Sequence, residues 1–279
     1  MSLQTVAPGS PAIRRPAVAG YYYPAEPEAL REAIDAACGP VDRPLRTRAV
    51  IVPHDSYRRC GGVLGTTLSQ LIIPRRCVVL GPSHTGSWIR WSVMADGAYR
   101  TPLGEVPVDD AGVEWLRMRC PFLERDAWGQ RGEHAIEVLV PFLQRLGPTG
   151  LTLVPIIMGP EDRGEITRLG AALAELVATS TEDILLIASS DFSQYATRDL
   201  AERQDRALLE AVCALDGDRV LAMAGEGETR LCGAGAVACV LEAARASGAN
   251  RGALTRYGTS ADANGDPHSV SGYAGVIIQ

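Results

Sequence analysis

Three apolar runs in this chain stop on residues able to hold a metal ion or a proton: Ala49-Val-Ile-Val-Pro-His54, Cys77-Val-Val-Leu-Gly-Pro-Ser-His84 and Ile184-Leu-Leu-Ile-Ala-Ser-Ser-Asp191. Short β-branched runs of this kind read as strands buried on both faces. In an open α/β sheet, ligands bind in the crevice beyond the carboxyl ends of such strands, so residues distant in sequence converge there. Two of only four histidines lie at these ends. A hydrogen bond to a neighbouring loop would account for either one alone, but recurrence at equivalent positions favours a shared site.

Other residues add to this set, each with a plainer alternative. Asp191 can ligate a cation, orient a histidine, or cap the helix that begins nearby. Cys232-Gly-Ala-Gly stands where a loop becomes a helix, and the positive end of a helix favours the thiolate that ligates metals or attacks electrophiles. The same glycines also suit tight packing against a sheet. Gly132-Glu133-His134-Ala-Ile-Glu137 puts His134 and Glu137 one turn apart at a helix start, where a local cap is commoner than a metal pair. The turn after His54 brings a carboxylate, Asp55, and a phenol, Tyr57. His268 reads as a loop residue without a special role.

The elements that must position these groups alternate regularly. Helices are expected over Pro27 to Cys38, Gly61 to Ile72, Asp110 to Arg119, His134 to Arg145, Arg163 to Ala178, Arg198 to Leu215, a shorter stretch through Met223, and Cys232 to Ala246. Strands are expected at the three runs above, at Leu151 to Met158, Leu254 to Thr259 and Ser271 to Ile278. Residues 88 to 99 and Thr101 to Val108 read as a hairpin beside the main sheet. The pattern predicts one α/β domain over residues 1–279, with a mixed central sheet and helices on both faces. Residues 1–11 are expected to form a flexible or appended tail.

Composition excludes several classes. A net charge of -6 and a pI near 5.3, with scattered basic residues, give no footprint for nucleic acid. No apolar stretch is long enough to span a membrane, and Met1 to Pro11 lacks the core of a secretory signal, so a cytoplasmic setting is expected. The seven cysteines include no C-x-x-C pair and are odd in number, which suits reduced thiols.

With these residues assembled, the chain resembles the Memo family, which is related in fold to class III extradiol ring-opening dioxygenases. The resemblance is carried by Arg15-Pro-Ala-Val-Ala-Gly20 with Tyr23-Pro24, Pro53-His54 with Tyr57 and Gly61, Leu80-Gly-Pro-Ser-His84, Thr101-Pro-Leu-Gly104, Glu133-His134 with Glu137, Ser189-Ser-Asp-Phe192, and Cys232-Gly233. It implies a cleft lined by His54, His84, Asp191 and Cys232 as catalytic residues, with metal binding as its capacity. It also shows a departure, because the family usually reads Ser-Ser-Asp-Phe-x-His where this chain has Gln194. A neutral amide is a poorer ligand than imidazole and cannot act as a general base.

The remaining ligands, His54, His84 and Cys232, suit zinc or copper better than the oxygen-rich triad that holds iron. Two functions follow as expectations. One is a metal-dependent oxidoreductase of dioxygenase type. The other is a protein that binds a peptide or small anionic molecule in the same cleft without turnover, with Tyr57, Arg58, Arg59, Trp88, Glu133, His134 and Gln194 as contacts. Partners in a system containing radical-chemistry enzymes are implied by the resemblance alone.

Overall fold

The computed structural model of the chain describes residues 12–86, 91–159, 162–227 and 229–279. Along the chain come β1 (Ile13–Arg14), α1 (Pro27–Ala37), β2 (Ala49–Val52), α2 (Tyr57–Leu68), β3 (Arg76–Pro82), β4 (Trp91–Val93), β5 (Ala98–Thr101) and β6 (Gly104–Pro107). Then follow α3 (Asp110–Arg119), β7 (Glu124–Arg125), a 3-10 turn (Glu137–Leu139) leading into α4 (Val140–Leu146), β8 (Thr152–Met158), α5 (Arg163–Thr179) and β9 (Ile184–Ser189). The last part holds α6 (Arg198–Cys213), α7 (Gly217–Gly225), α8 (Ala234–Ala246), β10 (Gly252–Thr259), α9 (Ala261–Asn264) and β11 (Gly272–Ile278).

The main sheet has the order β10-β11-β2-β9-β3-β8-β4-β7. Its centre, β2-β9-β3-β8, is parallel. β11 joins β2, and β4 joins β8, in antiparallel sense, so the sheet is mixed. Helices cover both faces. On β11, Gly272 lies against Asp205 of α6 while Gly275 lies against Thr67 of α2, and residues three apart on a strand point to opposite sides. Every residue of β2 is fully buried, which is why these strands read as unbroken apolar runs rather than alternating ones.

Two expectations change. The stretch read as a single hairpin is divided: β4 enters the main sheet, whereas β5 pairs with both β6 and β1 in a separate three-stranded sheet. The helix expected from His134 begins only at the 3-10 turn, so His134 and Glu137 are not neighbours on an α-helical face. Glu137 is instead fully buried and serves the chain entry: it accepts from the main-chain N–H groups of Ala17 and Val18 at 2.8 and 3.0 Å and from the Tyr23 hydroxyl at 2.6 Å, and it pairs with Arg14. Arg14 also donates to the carbonyls of Gln130 and Glu133, tying the chain entry to the loop that carries Glu133 and His134.

Register sets the strand ends at one edge. Val52 pairs with Ser189, and Leu80 with Ala188, so His54, Ser189, Asp191 and His84 leave the sheet at nearly the same level. Removing one partner of a buried ion pair leaves an uncompensated charge. Arg14→Ala is therefore expected to lower unfolding free energy by about 3–5 kcal/mol, read from urea denaturation. An unchanged midpoint would show that the pair does not secure the chain entry.

Candidate metal centre

Cys232 reaches the strand ends through a glycine. Gly233 precedes α8 with a φ of +83°, and a Cβ there would lie 3.1 Å from the Ser189 carbonyl oxygen and 3.2 Å from Pro82. Only a residue without a side chain fits both the left-handed backbone and that approach. The thiol is thereby placed between two imidazoles: Cys232 Sγ lies 3.1 Å from His84 Nε2 and 3.6 Å from His54 Nε2. The donor atoms of His54, His84 and Cys232 all lie within 4.8 Å of one another. Ligands held at 2.0–2.3 Å around a tetrahedral ion stand roughly 3.3–3.8 Å apart, so this spacing fits a metal with small adjustment.

The hydrogen-bond inventory fixes which imidazole nitrogens face inward. Ser189 Oγ donates its only hydrogen to the Ala135 carbonyl at 2.6 Å, so toward His54 Nδ1, 2.9 Å away, it must accept. His54 therefore carries its hydrogen on Nδ1. His84 Nδ1 lies 2.8 Å from Glu133 Oε1, and an ionised carboxylate can only accept. The Nε2 atoms of both rings are left for the centre. This is the carboxylate–histidine arrangement that orients metal ligands.

Electrostatics follow from burial. His54 is pushed down to about 3 by burial and by the facing His84, so it is neutral. His134 is lowered to about 4 by burial and by the same two imidazoles. Burial raises Asp191 to about 7. For His84, burial opposes charge, but the hydrogen bond and charge of Glu133 outweigh it and raise its pKa. Glu133 is held down in return, against its own burial, by His84 and by main-chain N–H groups. A proton gained by His84 sits on Nε2, the atom a metal would claim.

The residues singled out in the sequence fall into three groups. His54, His84 and Cys232 converge. Asp191 stands beside them: its Oδ1 accepts the His54 main-chain N–H at 2.8 Å, its Oδ2 lies 3.9 Å from His54 Nε2, and it caps no helix, since the next one begins at Arg198. Glu133 lies under His84, accepting from its main chain at 2.5 Å as well as from its ring. His134 stacks on His84 with ring centroids 4.3 Å apart. His84, Glu133 and His134 form a second cluster of possible ligands.

The others stand differently. The Tyr57 hydroxyl donates to the Val138 carbonyl at 2.9 Å. Arg58 is exposed at the start of α2, and Arg59 pairs with Asp55 at 3.3 Å. Gln194 is half-buried, and its side chain makes no hydrogen bond among the described residues. The next residue, Tyr195, is exposed with a φ of +58°, a left-handed conformation that costs a non-glycine residue free energy. Trp88 lies outside the described residues, and His268 is an exposed loop residue.

Sequence reasoning gave no role to Ser189, Tyr22 or Tyr273. Tyr22 packs against His134 with centroids 4.8 Å apart, and the Tyr273 hydroxyl donates to Asp55 Oδ2 at 2.5 Å. Ser189 was within reach, since it lies two residues before Asp191 in the same apolar run. The tyrosines carry no local signal.

Fold and cluster together define a mixed α/β protein with a histidine–cysteine group, able to hold a metal ion, at the carboxyl ends of its parallel strands. The chain belongs to the Memo family: the model of that family, described as Memo-like protein, matches residues 14–277. MEMO1 family proteins from Methanopyrus kandleri and Methanothermobacter thermautotrophicus are each 35% identical to it, covering 95% and 94% of this chain and 99% of their own. One from Aquifex aeolicus is 32% identical over 95% of this chain and 99% of its own. An uncharacterized protein from Escherichia coli K12 shares the fold, with a TM-score of 0.53 and 17% identity over 83% of this chain and 100% of that one. Among the described residues no helix is long and apolar enough to cross a membrane.

The tautomers are open to direct test. In metal-free protein at neutral pH, long-range 15N–1H NMR spectra are expected to show Nδ1 protonated in both His54 and His84, with His54 Nε2 bare. A bare Nδ1 on either ring would overturn the assignment.

Proposed function

We propose that the cleft is a transition-metal centre in which His54 Nε2, His84 Nε2 and Cys232 Sγ hold the ion and a fourth position stays open for an exogenous ligand. What carries this reading is the pairing of Ser189 with His54 and Glu133 with His84, which turns both Nε2 atoms toward one sulfur. A set of two nitrogens and one thiolate suits copper or zinc, whereas an iron triad would need a carboxylate in the first rank. Asp191 supports the same choice, because one of its oxygens is already engaged by the His54 main chain.

A bound ion of this class supplies Lewis-acid polarisation, and copper adds redox chemistry, at the open position. The chain's own residues do the rest. Glu133 holds a proton on His84 Nδ1 and keeps that ring in place. His134, neutral and stacked on His84, forms one wall. Asp191, raised by burial to about 7, can hold or release a proton beside the ligands. On this reading the protein is a metal-dependent oxidoreductase acting on a small molecule.

Gln194 favours a second reading, ligand binding without turnover. The amide cannot serve as a general base, and Arg58 and Arg59 on the turn after His54 would suit an anionic ligand or peptide. Anaerobic loading with Cu(I) or Zn(II) followed by elemental analysis is expected to give an equimolar ion in the wild type, lost in Cys232→Ser and in the His54→Ala, His84→Ala double variant. Equal metal in wild type and double variant would refute the centre. Oxygen uptake with a catechol or thiol by the copper- or iron-loaded protein, dependent on His84, would decide for turnover over mere binding.

A further inference from the structure

Asp205 lies on α6, outside the group of residues that converge at the centre, and is fully buried. A buried carboxylate is costly unless its oxygens are engaged, and burial raises the pKa of this one. One of its oxygens is engaged on the centre's own loop and the other on β10. Oδ1 accepts from the Ser193 main-chain N–H at 2.9 Å and from the Ser193 hydroxyl at 2.6 Å, while Oδ2 accepts from the Tyr257 hydroxyl at 2.7 Å. β11 passes directly beneath: a Cβ on Gly272 would lie 1.9 Å from Asp205 Oδ2. The Phe192 N–H donates to the Gly272 carbonyl and the Gly272 N–H to the Ser193 carbonyl, at 2.9 and 2.8 Å.

The other end of the same short segment holds two of the three metal donors. The Asp191 carbonyl accepts the Cys232 N–H at 2.9 Å, and the Ser190 hydroxyl donates to the Cys232 carbonyl at 2.5 Å. Asp191 Oδ1 accepts the His54 N–H at 2.8 Å. Cys232 and His54 thus hang from residues 190–191, and Ser193, two residues on, is fixed by α6.

We propose that Asp205 is a positioning residue for the centre: by clamping Ser193 it sets the register of residues 190–193, and through them the places of Cys232 Sγ and His54 Nε2. The proposal rests on the metal-centre reading for its consequence in metal binding, although the clamp itself is independent of any ion. Metal sites demand placement of donors to about 0.5 Å, so a small slip of this segment is sufficient to spoil one. The Tyr257 hydroxyl serves the carboxylate and not the loop, so its loss should matter less.

The test uses the full chain with Co(II) as a spectroscopic probe of the thiolate. Asp205→Ala, checked for folding by circular dichroism, is expected to bind Co(II) roughly 10–100-fold more weakly than wild type, the usual cost of losing an outer partner, with a weakened and shifted thiolate-to-cobalt band. Asp205→Asn, which keeps an acceptor for Ser193, should rescue both, and Tyr257→Phe should leave both unchanged. If Asp205→Ala does not fold, Ser193→Ala takes its place, with a smaller loss expected. A folded Asp205→Ala or Ser193→Ala protein with wild-type affinity and spectrum overturns the proposal.

Amide hydrogen exchange separates this outcome from failure of the centre itself. Without any metal, the Cys232 and His54 N–H groups should exchange faster in the Asp205→Ala or Ser193→Ala variant than in wild type. A wild type that binds no Co(II) but shows this acceleration would refute the metal reading and uphold the clamp. Unaltered exchange at both amides would refute the clamp.

Discussion

The centre depends on one buried segment end, Asp191, whose carboxylate and carbonyl each hold a different part of the chain. The side chain accepts the main-chain N–H of His54 beyond β2, and the carbonyl accepts that of Cys232 before α8. Asp191 itself follows β9, which lies between β2 and β3 in the sheet. Three segments more than thirty residues apart are therefore joined by two hydrogen bonds at a single residue. Parallel pairing brings the strands to a common edge, but it cannot by itself place atoms beyond their last ladder bonds. Asp191 does so, and removing a buried acceptor of this kind leaves donors without partners, at a cost of about 1–3 kcal/mol each.

Glu133 performs the corresponding task for the third donor. It is nearly fully buried, yet it accepts from the His84 main chain and ring and from the N–H groups of His134 and Ala135. That many donors compensate for the desolvation of a carboxylate, and they explain why its pKa falls although burial alone would raise it. Asp191 shows the opposite balance. Burial prevails over the one main-chain donor it receives, with Asp55 adding to it, and its pKa is raised. The two carboxylates thus differ in proton affinity because His84 and several N–H groups outweigh burial at Glu133, whereas burial prevails at Asp191.

Much of this was readable in the residues alone. β2, β3 and β9 are buried on both faces, so they stand out as uninterrupted apolar runs, and their polar terminators mark the site directly. Cys232 was visible because glycines follow it at a helix start, and Gly233 does meet the ends of β3 and β9 there. The role of Glu137 was not visible. Its spacing from His134 suggested one helical face, but a 3-10 turn and the buried Arg14 direct it to the chain entry instead. The division of residues 91–107 between two sheets also escaped, since short strands of mixed polarity carry no information about which edge they join. Asp205 and Tyr257 escaped for the same reason: a buried acid on an amphipathic helix looks like any other until its partners are known.

Gln194 gains its meaning from this framework. It sits on the segment clamped between Asp191 and Ser193 on one side and the left-handed Tyr195 on the other, so its backbone is fixed by partners that do not involve its own side chain. A substitution at such a position changes the chemistry offered without disturbing the scaffold. The two imidazoles and the Cys232 main chain have their own orienting partners, Ser189, Glu133 and the Asp191 carbonyl, none of which is shared with position 194. On the proposed reading, the histidine that the family resemblance implies at this position would add a base and a fourth donor, whereas Gln194 leaves a set of two nitrogens and one sulfur. Three protein donors with one position open is the composition of a metal site that admits an outside ligand, whereas four protein donors close it.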